Sequence, residues 1–147
     1  MTGTQQAAAT EAELAGRLRL MAGRLHRRVR LASSDLPPLQ LSTLATLARH
    51  GPLRPGDLAQ REAVSAPVMT RVLAALDEAR LIRRTADPDD ARCVNIALST
   101  AGEEHIARMR AHGIAYLDTR IARLDAAQRR ALAAALPALE ALVEDET

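Results

Sequence analysis

Apolar residues change their spacing at Leu81, and that change limits what the middle of the chain can fold into. Before it, Val68, Val72 and Leu76 recur every four residues, which makes one stripe of an α-helix. After it, residues 81–86 and 93–98 are short and strand-like. Val94, Ile96 and Leu98 alternate with Cys93, Asn95 and Ala97. Asp87-Pro88-Asp89-Asp90 stands between the two runs and has the composition of a turn. Upstream, residues 55–62 form a second short helical pattern with Leu58 and Ala59 inward. Ala63, Val64 and Ser65 join the two helices.

Ser65 is placed to cap the second helix, and Pro67 falls in its first turn, where a missing N–H costs nothing. At about 100° per residue, the face opposite the apolar stripe carries Ala66, Pro67, Thr70 and Arg71. That face is small at its start and polar further on. Such a helix can enter a groove and still reach bases or phosphates. Arg83 and Arg84 flank the turn on one strand, and Arg92 leaves it on the other, with Asp90 two residues earlier to orient it. Two helices, a tight turn and a hairpin with basic shoulders make a winged helix-turn-helix, which places one helix in a DNA major groove.

These residues carry a family resemblance. The ordered set is Gly51-Pro52-Leu53, Asp57-Leu58-Ala59, Val64-Ser65, Thr70-Arg71, Leu76-Asp77, Leu81-Ile82-Arg83-Arg84, Asp87-Pro88, Asp90, Arg92, Leu98-Ser99 and Gly102. It resembles the multiple antibiotic resistance regulator (MarR) family. The resemblance implies a homodimeric transcription factor, usually a repressor, whose DNA affinity responds to a small ligand or to thiol oxidation. Three positions depart from the family pattern. Arg54 stands where a Ser or Thr helix cap is usual. Arg80 stands where Gly usually ends the recognition helix; a left-handed Arg costs about 1 kcal/mol there. Ala91 replaces one of two neighbouring wing arginines, leaving Arg92.

The flanking regions supply three more helical stripes. Leu14, Leu18, Met21, Leu25 and Val29 mark the first, over residues 11–31, which also carries six arginines after Glu13. Ile106, Met109, Leu117, Ile121 and Leu124 mark a long helix after the hairpin, capped by Ser99 or by Thr100 with Glu103. Leu132, Leu136, Leu139 and Val143 mark the last, begun by an Asp125–Gln128 capping box. A further helix over residues 39–50 turns Leu41, Leu44, Leu47 and Ala48 inward. Gly51-Pro52 ends it and leaves room for a short strand at Leu53. The fold class expected is mainly α with a small β-hairpin wing. Residues 1–38 would hold a tail and a dimerisation helix, 39–99 the DNA-binding lobe, and 100–147 further dimerisation helices. The start of the chain to Thr10 is expected to fray, and residues 144–147 form a short acidic end.

A second copy would cover the apolar stripes and set two recognition helices about 34 Å apart on a pseudo-palindrome. The resemblance also implies a ligand pocket between the dimer helices and the DNA-binding lobe, with Leu25, Val29, Leu44, Leu47, Met109 and His112 as walls. Their aliphatic character suits an apolar or weakly acidic aromatic effector.

Composition excludes more than it assigns. Tyr116 is the one aromatic residue, so the core must come from aliphatic side chains. All 20 basic residues are Arg, which suits phosphate but also suits a GC-rich coding genome. The net charge is only +2, so the case for DNA rests on where the charges sit. One cysteine, Cys93, excludes an intrachain disulfide; it is expected to be structural rather than a redox sensor. His26, His105 and His112 lack the Cys or carboxylate company of a metal site, and no cofactor is expected. No nucleophile elbow, phosphate loop or HExxH is present, so no enzyme is expected. No long apolar run and no leader pattern appear, which makes the cytoplasm the expected compartment and a membrane partner unexpected. The rival reading is a winged-helix adaptor that binds protein without reading DNA.

Overall fold

The computed structural model of the chain describes residues 10–144. The expectations for the first nine residues and for most of the acidic end lie outside them. Eight elements follow in the order α1 (Glu11–Ser33), α2 (Pro38–His50), α3 (Pro55–Arg61), α4 (Ala66–Glu78), β1 (Ile82–Ala86), β2 (Val94–Leu98), α5 (Thr100–Ile121) and α6 (Ala126–Ala141).

Local chemistry explains most of the boundaries. Thr10 and Glu13 form a reciprocal capping box that starts α1, and Asp125 and Gln128 do the same for α6. Ser99, not Thr100, begins α5: its Oγ accepts from the Gly102 amide at 3.0 Å and donates to the Arg80 carbonyl at 2.6 Å. Thr100 is already helical, so the Thr100–Glu103 box does not form.

Two helices close through a left-handed residue that is not glycine. After α3, the Val64 amide reaches back to the Ala59 carbonyl and Ala63 takes a φ of 52°. After α4, the Leu81 amide bonds the Leu76 carbonyl and Arg80 takes a φ of 58°. Both are six-to-one helix closures, whose left-handed residue is usually Gly. The second closure drops the chain straight into β1.

The strands pair antiparallel in register from Ile82 with Leu98 to Ala86 with Val94. In place of the expected short strand, Leu53 makes a single-residue bridge: its amide and carbonyl exchange hydrogen bonds with Ile96 at 3.0 and 2.8 Å. The hairpin is thereby tied to the segment that enters α3.

The core sits between α2, α3, α4, the hairpin and the start of α5. Leu44, Leu47, Leu58, Met69, Leu73, Leu76, Ile82, Ile96 and Ile106 fill it. One sequence expectation fails here. Val68 is exposed, and Met69 and Leu73 lie inside with Val72 and Leu76. The inward face of α4 is therefore rotated by about one residue from the four-residue repeat. The straight repeat overlooked that an α-helix advances 3.6 residues per turn and buries neighbours at i+3 and i+4.

At Gly102, an added Cβ would overlap the Leu81 carbonyl oxygen. The start of α5 thus packs directly on the backbone where α4 gives way to β1. At Gly113, a Cβ would approach Val29 Cγ1 and Ser33 Oγ at 3.1 and 3.3 Å. That close approach lets α5 lie against α1. In contrast, no residue of α6 is buried.

Candidate nucleic-acid interface

Ser65, Ala66, Pro67, Thr70 and Arg71 are all exposed, while Met69, Val72, Leu73 and Leu76 hold α4 to the core from the other side. The structure thus brings the five expected residues together on one free face of one helix. Ser65 stands at the N-cap but makes no side-chain capping bond. Its hydroxyl remains available, as do the first amides of the helix, and Pro67 lies in the first turn. No acidic residue occupies that turn. Anions are favoured at such a helix start. The Thr70 hydroxyl turns back to the Ala66 carbonyl at 2.9 Å, which presents its methyl group outward. Among the described residues Arg71 makes no ion pair. The carboxylate of Asp77, further along α4, lies 3.6 Å from Arg84 Nε.

The three other arginines differ. Arg92 has a side chain 92% exposed at the tip of the hairpin. Asp90 orients it: Oδ1 accepts from the Arg92 amide at 3.1 Å and from its Nε at 3.2 Å. Arg84 is half exposed beside the end of α4. Arg83 folds its Nε onto the Leu98 carbonyl at 3.1 Å and lines a cavity with Pro52, Glu103 and Arg110. It lies on the α2–α5 side of the sheet.

One contact was not anticipated. Arg54 Nε donates to Asp87 Oδ2 at 2.7 Å, joining the residue before α3 to the first residue of the hairpin turn. Asp87 Oδ1 accepts from the amides of Asp89 and Asp90 at 2.9 and 3.3 Å. The hydrogen bond from Arg54 and the Asp89 amide hold the Asp87 carboxyl down at about 2. The two partners lie 33 residues apart, so no local spacing announces the pair.

Cys93 is half-buried, and its Sγ lies 3.6 Å from Asp90 Oδ2. Burial pushes its thiol up, although Arg54 pulls the other way. A raised thiol pKa leaves little thiolate to react with oxidants.

The six residues expected around a ligand do not converge. Val29 and Met109 line a cavity of about 470 Å³ between α1, α2 and α5, together with His26, Arg30, Leu41 and Arg49. Leu44 is fully buried in the core, and Leu47 faces the cavity beside Arg83. Leu25 is half exposed on α1. His112 lines a third cavity with His105, where Ser34 Oγ lies 3.3 Å from His105 Nε2. Burial, and then Arg108, hold His105 below its ordinary value. Core membership removes Leu44 from solvent, and the sequence stripe could not separate that from pocket lining. Among the described residues no three His, Cys, Asp or Glu side chains gather as a metal-binding group.

A bound-in helix with a free polar face, beside a hairpin with an outward arginine, defines a winged helix-turn-helix DNA-binding transcriptional regulator. Residues 36–94 match the model of the MarR family. An HTH-type transcriptional regulator of Mycobacterium bovis is 38% identical over 138 residues, which cover 92% of this chain and 96% of that protein. The chain belongs to the MarR family. A transcriptional regulator of Pseudomonas aeruginosa, solved as a crystal structure, superposes with a TM-score of 0.79 at 31% identity, covering 92% of this chain and 97% of the other. A variant of the Staphylococcus aureus regulator MepR, solved bound to an oligodeoxyribonucleotide, shares the fold with a TM-score of 0.67 at 21% identity, over 89% and 98% of the two chains.

Proposed function

We propose that this protein acts as a homodimeric, ligand-responsive repressor on a pseudo-palindromic operator. Two copies pair through α1, α5 and α6, within residues 1–38 and 100–147. The lobe of residues 39–99 carries α4 and the wing. Ser65, Ala66, Pro67, Thr70 and Arg71 enter the major groove. Arg92, oriented by Asp90, reaches the minor groove or its phosphates, with Arg84 beside it and Arg83 further back.

The observation that carries this reading is the two-sidedness of α4. Its inner side chains are nearly inaccessible, and its first two turns outside, Val68 apart, are small or polar, uncapped and free of acid. A protein-binding adaptor has no need of an acid-free helix start, whereas phosphate does. The dimer is supported by exposed Leu14, Met21 and Leu25 on α1, Ile114 and Ile121 on α5, and Leu132 and Leu136 on α6. An effector is supported by the cavity between α1, α2 and α5. Its apolar walls and its rim of His26, Arg30 and Arg49 suit a small organic anion. Such a ligand acts only if it favours one spacing of the two lobes.

The test is to select bound sequences from a random DNA pool with the full-length protein. A palindromic consensus is expected. Arg71→Ala should then weaken that consensus by about 1–3 kcal/mol while the protein remains dimeric. Equal affinity for all sequences would sink the reading and favour the adaptor.

A further inference from the structure

We infer that Arg54 is the residue that positions the wing on the operator, acting through Asp87 rather than by touching DNA itself. This rests on the reading that the wing contacts DNA.

The geometry is specific. Leu53 is hydrogen-bonded into the sheet through Ile96, and Pro55 begins α3, so the Arg54 backbone is fixed from both sides. Its side chain makes no cap for α3. It reaches the first residue of the hairpin turn instead. Asp87 is the point on which that turn is folded: one carboxylate oxygen takes the Asp89 and Asp90 amides, and the other takes Arg54. Asp87 is buried, whereas the Arg54 side chain is 45% exposed. The turn then continues through Asp90, which orients Arg92. A continuous line of charge-assisted hydrogen bonds therefore runs from the entry of α3 to the wing tip. Such bonds are shorter and stronger than neutral ones, and they fix direction as well as distance. The base of the hairpin is held separately, by the Leu53 bridge, by Ile82 and Ile96 in the core and by the Arg84–Asp77 pair to α4. Arg54 supplies an attachment at the turn itself. It stands at the junction of the helix-turn-helix and the wing, so it couples their relative angle.

The experiment uses the full-length dimer and the DNA sequence it selects from a random pool. Hydroxyl-radical footprints and salt-dependent affinities are measured for wild type, Arg54→Ala and Arg54→Lys. A second test adds Asp87→Asn. Arg54→Ala should bind about tenfold more weakly, in line with loss of a hydrogen bond to a charged group. It should lose protection at the operator flanks while keeping protection at the half-site centres. The slope of log affinity against log salt should fall only together with the flank protection, because Arg54 itself touches no phosphate. Arg54→Lys should recover part of the flank protection, and Asp87→Asn should reproduce the Arg54→Ala pattern.

If Arg54→Ala keeps full flank protection and affinity, this inference alone fails. If its salt slope falls by about one with the flanks still protected, Arg54 is a direct phosphate contact and the inference also fails. If wild type itself leaves the flanks open, the wing reading falls and takes this inference with it.

Discussion

Gly102 and Asp87 show how single residues constrain this fold. At Gly102 any side chain would collide with the Leu81 backbone, and backbone cannot rotate aside as a side chain can. Gly102→Ala should therefore destabilise the protein by about 1–3 kcal/mol, as other overpacked sites do. Urea unfolding would measure it, and an unchanged midpoint would contradict the packing described. Asp87 makes a prediction about acid. Its carboxyl is held at about 2 in the folded chain, below the ordinary 3.8. A depressed carboxylate adds stability above its unfolded pKa and loses it as pH falls through the folded one. Wild type should thus lose stability between about pH 4 and pH 2 through this group, and Asp87→Asn should lose less over that range. Thermal melts of both proteins across the window test this. Parallel curves would remove Asp87 as a contributor.

At the scale of elements, the joint between α4 and β1 matters most. It closes with Arg80 in a left-handed conformation, where a Cβ is unfavourable. Arg80→Gly should raise stability by about 0.5–1 kcal/mol, without affecting the Ser99 hydroxyl, which bonds only the residue's carbonyl. Chemical denaturation reads the gain directly, and a loss would mean that the Arg80 side chain contributes contacts of its own. The same joint explains how helix and wing hold a fixed relation. Leu81 is buried, β1 begins immediately after it, and α5 packs on its carbonyl. The hairpin's length and turn could be read from alternation and from Asp87-Pro88, because those signals are local. Its anchoring could not, because Arg54 is remote in sequence and its position appeared only as a missing cap.

For the whole molecule, the question is what covers α6. Leu132 and Leu136 are exposed, no residue of the helix is buried, and Pro137 lies in its interior. Such a helix is not held by the lobe it follows. If a second copy covers it, Leu136→Glu should place a charge in that interface and give a monomer. Operator affinity should fall with it by at least tenfold, since two half-sites are read together. Analytical ultracentrifugation with a DNA-binding titration checks both. A dimer that survives the change would move the interface elsewhere. Among the described residues, no helix is long and apolar enough to cross a membrane.

The sequence by itself determined the elements and the outward face of α4. Helix stripes, capping boxes, the hairpin alternation and the exposed side of α4 all follow from spacings of a few residues, which obey helix and strand geometry. Tertiary structure decided the rest. It put Met69 and Leu73 inside and Val68 outside, because the lobe's packing chose the rotation of α4. It sent Leu44 to the core and gathered His26, Arg30 and Arg49 around the cavity with Val29, because neighbouring helices bring together residues that no single stripe relates. It joined Arg54 to Asp87 because the Leu53 bridge folds distant backbone side by side. Periodicity reports which way a residue faces on its own element; only the packed chain fixes what it meets there.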